Sequence, residues 1–288
     1  MMETKSPLIK RGWLRSLLFF LSFFIIVALF NIIGIVIASF FSVYGFEEFL
    51  SDQELLMQNK MMMMTTMVSQ LAGALFTVWI FQKFVSRESF TSIGLRFEGY
   101  KNDLYQGLLV GAGLITIGFL TLVIFNLISV DLTYFSLYDQ AFYLILFAVV
   151  SLNEEIAIRG YILQNLSKSF NKYIALAISS LVFMIMHLGN PNLDILPIVN
   201  LFLAGIFLGV YRIHKNNLWF PIGAHLTWNY LQGPIYGFEV SGNKINSLFE
   251  QKLNGHDILT GGNFGYEGSI ILTVFLIAGI YLMDKHFR

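Results

Sequence analysis

The run from Leu17 to Tyr44 contains no charged side chain and almost no polar one. About 20 apolar residues suffice for one helix to cross the hydrocarbon core of a bilayer. Inside that core each backbone N–H and C=O must find a partner within the protein, which leaves helices and closed barrels as spanning structures. The run is too long for the h-region of a signal peptide and has no clear small-residue cleavage site, so it reads as an uncleaved first span. Seven further apolar stretches follow. The predicted spans are roughly 17–42, 61–82, 104–129, 142–167, 173–190, 194–212, 218–237 and 269–284. A transmembrane barrel would show alternating segments of about ten residues instead of continuous apolar runs. The expected fold is therefore all-α, a polytopic membrane protein of about eight transmembrane helices. Composition agrees: 56% of the chain is hydrophobic and 12% is charged, against about 25% charged in a soluble domain. No second soluble domain, tandem repeat or low-complexity tract stands out, so residues 1–288 read as a single membrane domain.

The cations fix an orientation. Of the eighteen Lys and Arg residues, only Lys60, Lys244 and Lys252 fall in the odd-numbered connections between spans; fourteen lie in the termini, in the even-numbered connections or at their edge, and Arg159 lies in the fourth span on the inner approach to the 4–5 connection. By the positive-inside rule the N- and C-termini are cytoplasmic. Zero net charge argues against nucleic acid as a partner, and the absence of cysteine excludes disulfides, a thiol nucleophile and Cys-ligated metal.

The connections carry their own signals. Residues 83–103, with Phe90-Thr91-Ser92-Ile93-Gly94-Leu95-Arg96, suit an interfacial segment. Residues 239–268 form a long outer loop with an expected short helix near 243–253. It ends in Thr260-Gly261-Gly262-Asn263-Phe264-Gly265-Tyr266-Glu267-Gly268. Without a preceding strand or a following lysine, those glycines read as a turn and not as a phosphate cradle. Met61-Met62-Met63-Met64 reads as the lipid-facing start of a helix. Gly107/Gly111 and Gly205/Gly209 have the spacing of close helix packing. His214, His256 and His286 fall in connections or ends and are expected to be solvated. Trp79, Trp219 and Trp228 fit interfacial belts or packing.

Against this frame, Glu154-Glu155-Ile156-Ala157-Ile158-Arg159 is anomalous, because charge at membrane depth is expensive unless paired, neutralised or hydrated. Glu155 and Arg159, at i and i+4, share a face and can pair. Glu154 lies about 100° around the helix and lacks that partner. His187 comes at the end of the fifth span, just before Gly189-Asn190-Pro191-Asn192. His225 and Asn229, again at i and i+4, share a face of the seventh. Glu154 and His187 lie fourteen and fifteen residues from Lys168 and Lys172, about 21–23 Å from one cytoplasmic hairpin by helical rise. His225 and Asn229 come to about 15–21 Å by the same measure. Singly, each group could be interhelical glue or a buried ion pair. Together, at one height on three helices, they point to a catalytic site; a proton or ion pathway would string such groups across the bilayer, and no inverted repeat is seen.

The three motifs, in this order on separate spans, resemble the CPBP family: the type II CAAX prenyl endopeptidases and bacteriocin-processing relatives, formerly called Abi. They read Glu154-Glu155-Ile156-Ala157-Ile158-Arg159, Phe183-Met184-Ile185-Met186-His187 and His225-Leu226-Thr227-Trp228-Asn229. The resemblance is strongest over about 142–235, the expected catalytic core. Ile158 departs from the pattern, since many relatives carry an aromatic there. The resemblance implies an intramembrane endopeptidase in which Glu154 and His187 prepare a water. His225 and Asn229 would then form the oxyanion site, with Glu155 and Arg159 holding the constellation. It also leaves a metal-dependent variant open, with zinc on Glu154, His187 and His225, although no cofactor is favoured. The implied partners are the lipid bilayer and a peptide or lipidated-protein substrate, in a multi-pass protein of a bacterial plasma membrane. A non-proteolytic immunity, scaffold or regulatory protein on the same frame is the alternative, and a transporter the third reading.

Overall fold

The structure is a computed structural model and describes residues 6–41, 45, 47 and 59–288. Lys5 and the end of the first predicted span, at 42, lie outside the described residues. The fold is 73% helical with almost no sheet. Each predicted span corresponds to a helix: α1 Gly12–Ser39, α2 Lys60–Ser86, α3 Lys101–Ile124, α4 Leu137–Leu166, α5 Lys172–Met186, α6 Ile195–Lys215, α7 Trp219–Tyr230 and α8 Ile270–Phe287. Six are long and apolar enough to cross a membrane. The other two are shorter. α5 has 15 residues, about 22 Å of rise against a core of about 30 Å. α7 has 12, extended by one wide π turn over Leu231–Ile235. α5 stops at Met186 because His187 and the Gly189-Asn190-Pro191 turn follow, and proline cannot continue a helix hydrogen-bond ladder.

Polar side chains start most of these helices. Asn59 caps α2, Ser136 α4, Asn171 α5, Asp194 α6 and Ser269 α8, each accepting from a backbone N–H of the first turn. Asn216, at φ 54° in the left-handed region, ends α6.

Glycines let the helices meet backbone to backbone. A Cβ at Gly107 or Gly111 of α3 would lie 2.1 Å from the Phe220 carbonyl oxygen or 2.2 Å from that of Ala224 on α7, and one at Gly205 of α6 would lie 2.8 Å from the Ser180 Cβ on α5. The small-residue spacing therefore marks packing faces, as expected. The methionine run departs from expectation. Only Met61 is clearly exposed, while Met62 and Met63 are buried, because the start of α2 turns towards α4 and not only towards lipid.

The chain's cationic segments converge on one end of the bundle. Leu8 N–H donates to the Val85 carbonyl, Arg87 to the Ser6 carbonyl and Trp13 N–H to Ser169 Oγ. Lys168 pairs with Glu88 at 2.5 Å. His214 pairs with Asp284 at 2.9 Å and its side chain is only 3% exposed, so it is not solvated as predicted. His256 accepts from Ile258 N–H in the outer loop, and His286 is exposed. The opposite end also corrects the sequence reading. Where a short helix was expected near 243–253, Phe249–Leu253 forms a strand, β2, antiparallel to β1 at Ile128–Leu132. Lys60 pairs with Asp139 at the same end, tying α2 to α4.

The α3–α7 contact gives the first test. Gly107→Val forces a side chain against Phe220 and should destabilise by about 1–3 kcal/mol or more. Gly113→Ala on the same helix meets nothing within 4 Å and should stabilise by about 0.5–1 kcal/mol, since alanine is the better helix former. Thermal unfolding in detergent should move in opposite directions for the two variants.

Candidate active site

α4 changes winding where its charges begin. Residues Glu155–Ile162 form a π-helical segment, and all eight are buried. π segments are rare and often sit at functional sites. The wider turn disturbs the usual ladder of carbonyl acceptors, and one of them is met from outside: Arg212 of α6 donates through Nε to the Arg159 carbonyl at 3.2 Å. Arg212 also donates to the Ile93 carbonyl at 3.2 Å, so the interfacial 90–93 turn and α6 both brace the segment.

Within it, Glu155 and Arg159 are completely buried and pair at 2.9 Å, as their spacing predicts. Arg159 donates also to the Gly205 carbonyl of α6 at 3.2 Å, and its guanidinium lies 4.3 Å from the Phe183 ring centroid. The same Glu155 Oε1 accepts from His225 Nδ1 of α7 at 2.9 Å, a contact the sequence did not indicate. One carboxylate oxygen thus joins α4 to α7, and Arg159 joins both to α5 and α6.

Glu154 is separate from this cluster. It faces a cavity of about 420 Å³ whose wall includes Glu154, His187, His225 and Asn229 but neither Glu155 nor Arg159. Its Oε2 lies 3.9 Å from His187 Nε2 and 3.9 Å from His225 Nε2. That oxygen is buried and makes no hydrogen bond within the protein. The two imidazoles are held from behind. His187 Nδ1 donates to the Phe183 carbonyl at 2.8 Å and His225 Nδ1 to Glu155. With Nδ1 spent on these acceptors, each ring turns Nε2 towards Glu154. A separation of 3.9 Å is too long for a direct hydrogen bond and is of the length that one bridging water spans.

Two further residues belong to this wall: Glu267, which reads in the sequence only as part of a turn, and Asn190, in the polar turn that the sequence places just beyond His187. Glu267, from the glycine-rich turn of the outer loop, accepts from Trp228 Nε1 at 3.2 Å and from Ser241 N–H and Oγ at 2.7 and 2.9 Å. It fastens that loop to α7 one residue before Asn229. The predicted belt or packing residue Trp228 is therefore part of the support. Asn190 of the turn after His187 also lines the cavity. Its neighbour Asn192 donates to the Asn263 carbonyl of the outer loop at 3.2 Å.

Residues 136–231 match the family model described as type II CAAX prenyl endopeptidase Rce1-like. The chain carries an Rce1-like domain. The matched span runs from the cap of α4 to the end of α7 and contains all six candidate residues, Glu154, Glu155, Arg159, His187, His225 and Asn229. The family is a protease family. No curated protein and no solved structure matches the chain.

Removing Glu155 should expose how the site is held. Glu155→Ala leaves a buried guanidinium without its counter-ion and frees the His225 ring, which should cost about 3–5 kcal/mol. The double variant Glu155→Leu/Arg159→Met removes both charges and should be clearly more stable than Glu155→Ala. Thermal unfolding of the three proteins in one detergent decides it.

Proposed function

We propose that the protein is an intramembrane endopeptidase in which Glu154 is the general base. The observation that carries this reading is the Glu154 carboxylate oxygen, 3.9 Å from each of two imidazole nitrogens at the wall of a cavity and without a hydrogen bond inside the protein. A water bound there meets Glu154 and His187 together. In the proposed first step, Glu154 takes a proton from the water as its oxygen attacks the scissile carbonyl. The carbonyl oxygen becomes an oxyanion facing His225 and Asn229, which share one face of α7. Asn229 donates through its amide. His225 keeps its Nδ1–H on Glu155 and enters the cycle as the imidazolium, having taken a proton on Nε2 from solvent before substrate binds; it holds that proton throughout, and Glu155 offsets its charge. Donors fixed before the reaction, in a place of low dielectric, stabilise such charge most. In the second step the C–N bond breaks and Glu154 returns its proton to the departing amine, which leaves a carboxyl and an amine product and regenerates the carboxylate.

A zinc ion on Glu154, His187 and His225 would use a donor set that zinc accepts. Bonds of about 2.0–2.1 Å would place tetrahedral donors about 3.4 Å apart, and the spacings here are 3.9 Å. The proposed steps run through side chains and water.

Glu154→Gln keeps the size of the side chain and removes the base. Cleavage of a membrane-associated peptide should fall by about 10²–10⁴-fold, while the unfolding temperature stays near that of the parent. His187→Ala and His225→Ala should abolish cleavage as well. Purified protein dialysed against a chelator should retain activity; loss of activity restored by one equivalent of zinc would replace this mechanism with a metal-dependent one.

A further inference from the structure

We propose that Asn31, Gln70 and Asn153 form a second polar site in the Glu154 cavity, an amide subsite that holds the main chain of a bound peptide. That the peptide is a substrate rests on the peptidase reading; that the amides take a peptide main chain does not.

The catalytic candidates come from α4, α5 and α7. The three amides come from α1, α2 and α4, and all of them line the same cavity. Each stands one turn along its helix from an apolar residue of the same wall: Val27 before Asn31, Met67 before Gln70 and Val150 before Asn153. Packing brings them to neighbouring levels. A Cβ at Gly34 would lie 2.1 Å from Ser69 Oγ, and one at Gly73 would lie 3.1 Å from Val27 Cα. α1 and α2 therefore run antiparallel, with Asn31 beside the turn that holds Gln70. α2 and α4 start together at the Lys60–Asp139 pair. Gln70 follows Lys60 by ten residues and Asn153 follows Asp139 by fourteen, about 15 and 21 Å along the two helices. The offset of about 6 Å is close to the two-residue repeat of an extended chain, about 6.6 Å.

An amide side chain in a membrane helix ordinarily bonds to a neighbouring helix. These do not. Asn31 Oδ1 and Asn153 Oδ1 are buried without a hydrogen-bond partner in the protein, and Asn153 is only 8% exposed. Elsewhere on the wall, Asn243 gives its amide to the Val240 and Ser241 carbonyls. Both orphan atoms are acceptors, so their partner must donate, and each carboxamide adds two N–H donors of its own. A peptide bond matches this set, since its N–H answers the amide oxygen and its C=O the amide nitrogen. The apolar residues between the amides leave a water short of the two to four polar partners it needs; an extended main chain carries its donors and acceptors with it. Asn153 directly precedes Glu154, so the subsite borders the catalytic carboxylate.

The test uses the full-length Glu154→Gln protein in detergent, which leaves bound peptide intact. The probe is one fluorescein-labelled peptide selected for binding from a random library. It is joined by a series of its esters, each with one main-chain N–H replaced by O. Fluorescence anisotropy gives Kd. Adding Asn153→Leu or Asn31→Leu should raise Kd about tenfold, the loss of one hydrogen bond in a dry site. One ester should bind about tenfold more weakly than the peptide and lose that penalty in Asn153→Leu. The amides have no partner to lose, so without peptide the unfolding temperature of both leucine variants should hold or rise. A fall in both would assign the amides to helix packing and overturn the proposal. Unchanged affinity in both variants, ester penalties that persist in both, or a library without a binder would overturn it equally and leave only water on the amides. Cleavage of the same peptide with Glu154 restored separates the two readings. A peptide bound with this ester pattern and never cleaved would count against the peptidase and leave the subsite standing; a cleaved peptide without the pattern would do the reverse.

Discussion

One carboxylate oxygen, Glu155 Oε1, accepts from Arg159 and from His225 at 2.9 Å each in a completely buried position. Neither a bare carboxylate nor a bare guanidinium is tolerable there, because desolvation of either ion is worth several kcal/mol. The three groups therefore need each other, and they sit on two helices far apart in sequence. The pairing specifies which face of α7 turns to α4. Once His225 is held through Nδ1, its Nε2 has one direction left, towards Glu154. The position of Asn229 follows, because it lies one turn along the same face.

Arg159 and Arg212 extend that constraint. Arg159 reaches Gly205 and the Phe183 ring, and Arg212 reaches the Arg159 carbonyl and Ile93. Each guanidinium thus satisfies backbone carbonyls that the surrounding hydrocarbon could not. The π segment depends on this help, since a change of winding in a membrane helix is tolerated where neighbours satisfy the displaced backbone groups. The reward for this arrangement is local. Two adjacent glutamates acquire different surroundings: Glu155 is locked into the frame through Oε1, which accepts from Arg159 and His225, and Glu154, one residue earlier, stays on the cavity wall between two imidazoles.

Much of this was legible in the chain because membrane folding leaves few choices. Apolar length located every helix, the cations grouped the connections by end, and the i, i+4 spacing gave the Glu155–Arg159 pair. Glu154, His187, His225 and Asn229 were legible as one level because helical rise converts residue counts into depth. Long-range partners were not legible. Nothing local to Glu155 announces that His225 shares its oxygen, and nothing in a glycine-rich turn announces that Glu267 will accept from Trp228. Strand β2 escaped for the same reason: Phe249–Leu253 is extended because β1, more than a hundred residues earlier, supplies its hydrogen bonds. Met63 and His214 were misjudged because local composition was taken as a guide to surroundings, and their surroundings come from α4 and from Asp284.

The shortness of α5 then acquires a physical meaning. A helix of fifteen residues cannot carry its last residue across the full hydrocarbon thickness, so His187 is left at the depth where α5 stops. The polar turn that follows is backbone without helix hydrogen bonds, and such backbone is stable at that depth only where protein or water meets it. Asn192 meets the outer loop, and Asn190 meets the cavity. A full-length helix would have buried the histidine among its neighbours and closed the wall. Ending it early places an imidazole, a carboxylate and a water-accessible space together without any charged side chain having to face lipid. The same step ties the outer loop into the site, because Glu267 and Ser241 must cover the side that α5 leaves open.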